Sequence, residues 1–164
     1  LNSLSKEQAK SELQRCCGSS LWVQRMIGHR PFRSDEELFR VADQVWWSLS
    51  ASDWQDAFKH HPRIGDIESL RKKYASTATW ASTEQSGANN TSEATLRALA
   101  DGNRLYEEKF GYIFIVCATG KSADEMLAIL TSRLPNSSAD EMRIAAAEQA
   151  KITRIRLEKL LIIK

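Results

Sequence analysis

Two imidazoles stand directly before a proline in the run His60-His61-Pro62-Arg63-Ile64-Gly65-Asp66. Imidazole is the side chain whose ordinary titration lies near neutrality, so a histidine held in place can take or give a proton. Proline restricts the residue before it to extended backbone. His61 is thereby kept out of any helix that precedes it, and Gly65 lets the chain turn closely. The same residues also read as a plain helix terminator, with His60 or His61 near a helix C-terminus where a positive imidazolium is mildly stabilised. Metal binding is not expected: adjacent side chains diverge in extended chain, and no third ligand stands at a recognisable spacing.

A second polar stretch, Trp80-Ala81-Ser82-Thr83-Glu84-Gln85-Ser86-Gly87, begins with hydroxyls and sets Glu84 beside Gln85. A carboxylate and an amide on one helix edge can orient an imidazole and hydrogen-bond an amide-rich ligand. They equally suit an ordinary helix N-cap with a solvated acid in the first turn. Arg154 and Arg156 lie among Ile152, Ile155, Leu157, Leu160 and Leu161. Their stems can cover apolar surface, or one guanidinium can turn inward as a clamp for a carboxylate or other oxygens. Cys117 is a poor nucleophile candidate, since its apolar run has no basic neighbour to lower the thiol pKa.

The elements that must position these groups read as helices. Ser followed three residues later by Glu or Gln marks four expected capping boxes, Ser5/Gln8, Ser34/Glu37, Ser52/Gln55 and Ser138/Glu141. The first opens a helix to Cys17 before Gly18. The second opens one through Trp47 with Leu38, Val41, Ala42, Val45 and Leu49 on its apolar stripe, and the third a short helix ending near Lys59. Further helices are expected over Leu21–Gly28, Thr91–Phe110, Ser122–Leu134 and Ala139–Ile162. Gly102, inside one of them, carries a penalty of about 1 kcal/mol. Residues 112–118, Tyr-Ile-Phe-Ile-Val-Cys-Ala, have strand propensity, but one strand makes no sheet. The expectation is an extended or partly helical path through the core of an all-α, single-domain chain (1–164) of about eight helices, crossed by the long last one.

Composition agrees. Of 164 residues, 42% are hydrophobic and 27% charged, with 7 Gly and 3 Pro, and 23 basic against 21 acidic residues leave a net charge of +2. That balance gives no electrostatic reason to expect nucleic acid or an anionic membrane as partner. Three Cys and three His make neither a disulfide framework nor a zinc knuckle. No apolar run reaches the 18 to 20 residues of a membrane span, and the first residues have no secretory core. A reducing, cytoplasmic setting is expected.

Taken in order, His61-Pro62-Arg63-Ile64-Gly65, then Trp80 to Gly87, then Lys109 to Ala118, then Lys151-Ile152-Thr153-Arg154-Ile155-Arg156-Leu157 closely resemble the 2-oxo-4-hydroxy-4-carboxy-5-ureidoimidazoline (OHCU) decarboxylases. The resemblance covers nearly the whole chain. It implies an all-helical homodimer that completes the conversion of urate to (S)-allantoin, a small-molecule reaction without cofactor. By position it implies His61 as the catalytic histidine with Glu84 as its carboxylate partner. Pro62 and Gln85 would touch substrate, the hydroxyl-rich Ala81-Ser82-Thr83 would lie beside it, and the backbone of Val116, Cys117, Ala118, Thr119 and Gly120 would meet the ring. Arg156 matches the arginine of the terminal helix. This chain departs from the family pattern at Ala81, where Ser is common and where Ser82 stands next, and at Thr119, where Arg is common. The competing reading is a non-catalytic helical module presenting Trp22, Trp46 and Trp47 to a partner.

Overall fold

The computed structural model describes residues 1–63, 66–81 and 88–163. The chain is all-α, with eight helices among the described residues: α1 Lys6–Cys16, α2 Ser20–Gly28, α3 Asp35–Trp47, α4 Ala51–Lys59, α5 Ile67–Ala81, α6 Ala88–Phe110, α7 Ala123–Arg133 and α8 Ser138–Ile162. Among the described residues there is no strand. Two compact units emerge. The first comprises Leu1–His61, Ile115–Cys117 and Met142–Lys164, the second Pro62–Phe114 and Ala118–Glu141.

Capping chemistry starts most helices where Ser residues stand, with corrections of register. Ser5 and Gln8 form the expected reciprocal box at α1. Ser34 caps α3 by accepting from Glu37 N–H, but the Glu37 carboxylate turns to Arg33 N–H instead of closing the box. Ser52 lies inside α4, and the box there is Ser50 with Asp53. An aspartate reaches the N-cap amide as well as a glutamate can when the serine hydroxyl also bonds it, as Ser50 Oγ does at 2.7 Å. Ser137, not Ser138, accepts from Asp140 N–H at the start of α8, which releases Glu141 for a buried role. The 15 residues of α5 carry no sharp apolar stripe in sequence and were not expected as a helix.

In the first unit Leu13, Trp22, Met26, Leu38, Phe58 and Leu157 are fully buried. Two buried indoles and the half-buried Trp54 satisfy their N–H groups on backbone carbonyls, which a buried tryptophan requires. Trp22 donates to Ala42 O, Trp46 to Ala146 O at 2.9 Å, and Trp54 to Trp46 O. Trp22 and Trp46 are therefore core residues, which removes the three-tryptophan partner groove. Trp47 is 47% exposed and packs edge-on against Trp54.

The second unit packs Leu99, Leu130, Met126 and Tyr106 between α6 and α7. Gly102 permits a close approach there: a Cβ on it would lie 2.6 Å from Leu130 Cδ2, so that the leucine would have to shift. Residues 112–118 form neither helix nor strand. Tyr112 and Phe114 set their rings edge-on to Tyr106, while Ile115 and Cys117 are buried in the first unit. Apolar, β-branched composition here reflects burial of an irregular segment.

Candidate active site

The site is built from the end of α4 and one face of α8, both in the first unit. α4 stops at Lys59 and His60 caps it, its N–H bonding Ala57 O. His61 N–H still bonds Phe58 O at 3.2 Å, and Pro62, which lacks an N–H, ends the helical pattern. The two imidazoles then part. His60 Nδ1 turns back to Asp56 O at 2.8 Å. His61 instead sends Nε2 to Oε1 of Gln149 on α8, 2.5 Å away. Gly18 makes room for this helix end, because a Cβ at that position would stand 2.4 Å from His60 Cγ.

Gln149 is 1% exposed, and its Nε2 bonds Thr153 Oγ1 at 3.1 Å. Thr153 in turn meets the Cys17 thiol, which burial pushes up to about 12 and so keeps protonated. One turn further, Arg156 Nη1 reaches the carbonyls of Arg15 and Cys16 at the C-terminus of α1, each at 3.5 Å, where the helix dipole favours a cation. Gln149, Thr153 and Arg156 stand at i, i+4 and i+7, the spacing of one helix face. Arg154 points elsewhere: its guanidinium lies 3.8 Å from the centre of the Phe39 ring and pairs with Glu158.

Electrostatically the site favours neutral imidazole. Burial holds His61 below its ordinary 6.5, the hydrogen bond to Gln149 works in the opposite direction, and the charges of Arg156 and His60 lower it further. A neutral histidine at physiological pH can accept a proton.

Beside Gln149, Glu148 is mostly buried and accepts from Cys117 N–H at 3.4 Å, with Lys151 Nζ 2.6 Å from its other oxygen. This carboxylate pins the backbone of the 115–117 segment. Of that loop, Val116 is half-buried, Cys117 buried, and Thr119 and Gly120 exposed. Lys121 N–H closes a turn onto Ala118 O, and Gly120 takes φ +74°, a left-handed conformation that glycine adopts without strain. Pro62 is exposed and Ala81 ends α5. Ser82, Thr83, Glu84 and Gln85 lie outside the described residues. The structure places His61 and Arg156 in the first unit, near enough for the Arg156 charge to act on the imidazole, and adds Gln149, Thr153 and Glu148. The i, i+4, i+7 spacing back from Arg156 was the available signal for Gln149 and Thr153.

An all-helical protein that holds one partly buried, neutral histidine against a buried amide, with an arginine two turns along on the same helix face, is equipped for proton transfer. The chain belongs to the OHCU decarboxylase family, whose profile matches residues 2–158. It is 38% identical over 161 residues to the uric acid degradation bifunctional protein TTL of Arabidopsis thaliana, covering 96% of this chain and 48% of that protein. It is 27% identical to a 2-oxo-4-hydroxy-4-carboxy-5-ureidoimidazoline decarboxylase of Amia calva, covering 98% of this chain and 92% of the relative. The chain thus spans about half of the Arabidopsis thaliana bifunctional protein and nearly all of the Amia calva decarboxylase. Among solved structures, an OHCU decarboxylase crystallised in the presence of (S)-allantoin superposes with TM-score 0.70 at 36% identity, covering 91% of this chain and 96% of that one.

Proposed function

We propose that the chain decarboxylates 2-oxo-4-hydroxy-4-carboxy-5-ureidoimidazoline to (S)-allantoin in urate degradation, as a carboxy-lyase that needs no cofactor. The observation that carries the reading is His61, partly buried, biased towards its neutral form and fixed by a buried partner, in a chain of this family.

The chemistry asks little more of the protein. As the carboxylate leaves as carbon dioxide, its bonding pair moves into the bond to the adjacent imine-like carbon, and the imine nitrogen takes up a proton. The ring hydroxyl then loses its proton as the carbonyl forms, and a proton is added to one face of the ureido-bearing carbon. Net, one proton is consumed and one carbon dioxide released. His61 serves as general acid/base in these transfers. The site supplies orientation of the breaking bond, exclusion of water around the carboxylate and a single face for protonation.

In this reading Glu84 assists His61 in catalysis. Pro62, Ala81, Ser82, Thr83 and Gln85, the backbone of Val116 to Gly120, and Arg156 contact the substrate, with Arg156 holding ring or ureido oxygens. Residues 1–164 act as one decarboxylase domain, in a cytoplasmic homodimer. Sedimentation of the purified chain at twice the monomer mass is the expected result for the dimer.

Replacing His61 by Ala or Asn is expected to remove enzymatic turnover while leaving helical circular dichroism unchanged. Because the substrate also decarboxylates unaided, the optical activity of the product is the decisive readout. The wild type yields (S)-allantoin and the variant a racemate; (S)-allantoin formed at a near-normal rate by His61→Ala would sink the assignment.

A further inference from the structure

Of the two ring nitrogens of His61, Nε2 faces Gln149 Oε1 at 2.5 Å. Gln149 has one acceptor and one donor end, and at 1% exposure both must be satisfied inside the protein. Its Nε2 is spent on Thr153 Oγ1 at 3.1 Å. Thr153 is buried too and keeps its hydroxyl in contact with the Cys17 thiol. The polar run therefore has one direction. The glutamine amide nitrogen donates to the threonine oxygen, and the glutamine carbonyl is left for histidine. A carbonyl oxygen only accepts, so the hydrogen of the contact belongs to His61.

We propose that Gln149 is a positioning residue that fixes His61 as the Nε2–H tautomer, so that Nδ1 carries the lone pair and is the nitrogen that exchanges protons with the ligand. This deepens the decarboxylase reading and rests on it for its functional meaning, but the tautomer itself stands on geometry. Which nitrogen of a catalytic imidazole is free is set by the hydrogen bond the other makes. Without a fixed partner the ring samples both tautomers and rotates, and only a fraction presents a lone pair in the right place. His60, one residue earlier, carries the opposite assignment. Its Nδ1 meets the carbonyl of Asp56 and must hold the hydrogen there, so adjacent histidines in one chain are expected as opposite tautomers.

The test is a long-range proton–nitrogen correlation spectrum of the imidazoles in the uniformly 15N-labelled full chain. It is recorded above the titration range, with His61→Ala and His60→Ala used for assignment. The expected result is Nε2–H at His61 and Nδ1–H at His60; an Nδ1–H pattern at His61 overturns the proposal. Gln149→Met keeps the side-chain length and removes the acceptor. It is expected to give a mixed tautomer signal at His61, with kcat about tenfold lower and KM within about twofold of wild type. An unchanged tautomer and unchanged kcat in that variant also overturn it. Gln149→Glu, which keeps an acceptor at the same place, is expected to retain Nε2–H. Should Gln149→Met fail to fold, the wild-type and Gln149→Glu spectra decide the matter alone. Full stereospecific turnover by His61→Ala would defeat the decarboxylase mechanism while leaving the tautomer assignment standing, so the two failures are separable.

Discussion

His61 differs from His60 by what surrounds it, not by its chemistry. His60 is exposed and bonded to its own helix, whereas His61 is partly withdrawn from water and bonded across to α8. Burial disfavours the imidazolium, and the charges of Arg156 and His60 add to that, so the folded-state pKa lies below 6.5. The sign for stability follows. Between the folded value and the ordinary 6.5, the unfolded chain binds a proton that the folded chain does not, so stability falls as pH drops through that window and is fully present above it. Urea unfolding from pH 8 downward is expected to show this loss in the wild type and less of it in His61→Ala. Catalytically, the acid limb of kcat/KM is expected below pH 6.5; a limb above that value would contradict a neutral, buried His61.

At the scale of elements, two close approaches set the geometry. Gly18 lets the chain after α1 pass beneath His60, and Gly102 lets α6 lie against α7 at Leu130. Read from sequence, Gly102 is a helix defect whose replacement by Ala should stabilise by about 1 kcal/mol. The packing reverses that expectation. A methyl group 2.6 Å from a fully buried Leu130 terminus forces repacking, and overpacking of this kind costs roughly 1–3 kcal/mol. Gly102→Ala is therefore expected to be destabilising by about 1 kcal/mol net, from the two opposing contributions, in chemical denaturation. A more stable variant would show that α7 yields at this point. The helices themselves were largely legible, because capping serines and period-3.6 stripes are local. α5 was missed for want of such a stripe, and Glu141 was misread as a capping residue because Ser138 precedes it at the right spacing.

At the scale of the whole molecule, each unit has an internal polar anchor. In the first it is the run from His61 through Gln149 and Thr153. In the second, Glu141 is fully buried and is bonded by Arg133 at 2.5 Å, Tyr106 Oη at 2.5 Å and Asn136 Nδ2 at 3.0 Å. The Arg133 guanidinium also faces the Phe114 ring at 4.7 Å, so this cluster anchors the start of the irregular 112–118 segment. Removing one member of a buried ion pair strands the other charge and costs about 3–5 kcal/mol. Glu141→Ala is expected to lower stability by that order in urea unfolding. The double replacement Arg133→Met with Glu141→Leu is expected to recover much of the loss, since no unpaired charge remains.

What the sequence determined by itself is what depends on short-range chemistry and composition: an all-α chain, the helix caps at Ser5 and Ser34, the break at Pro62 that sets His61 apart from α4, and the motifs that place the chain in its family. Only the tertiary structure decided which groups face one another. His61 and Gln149 are 88 residues apart, and nothing in the chain near either one specifies the other. The same holds for the choice between Arg154 and Arg156, two residues apart on one helix yet on different faces, one over Phe39 and the other at the end of α1. Helical periodicity says that they diverge. Where each of them ends is fixed by the helices packed around α8.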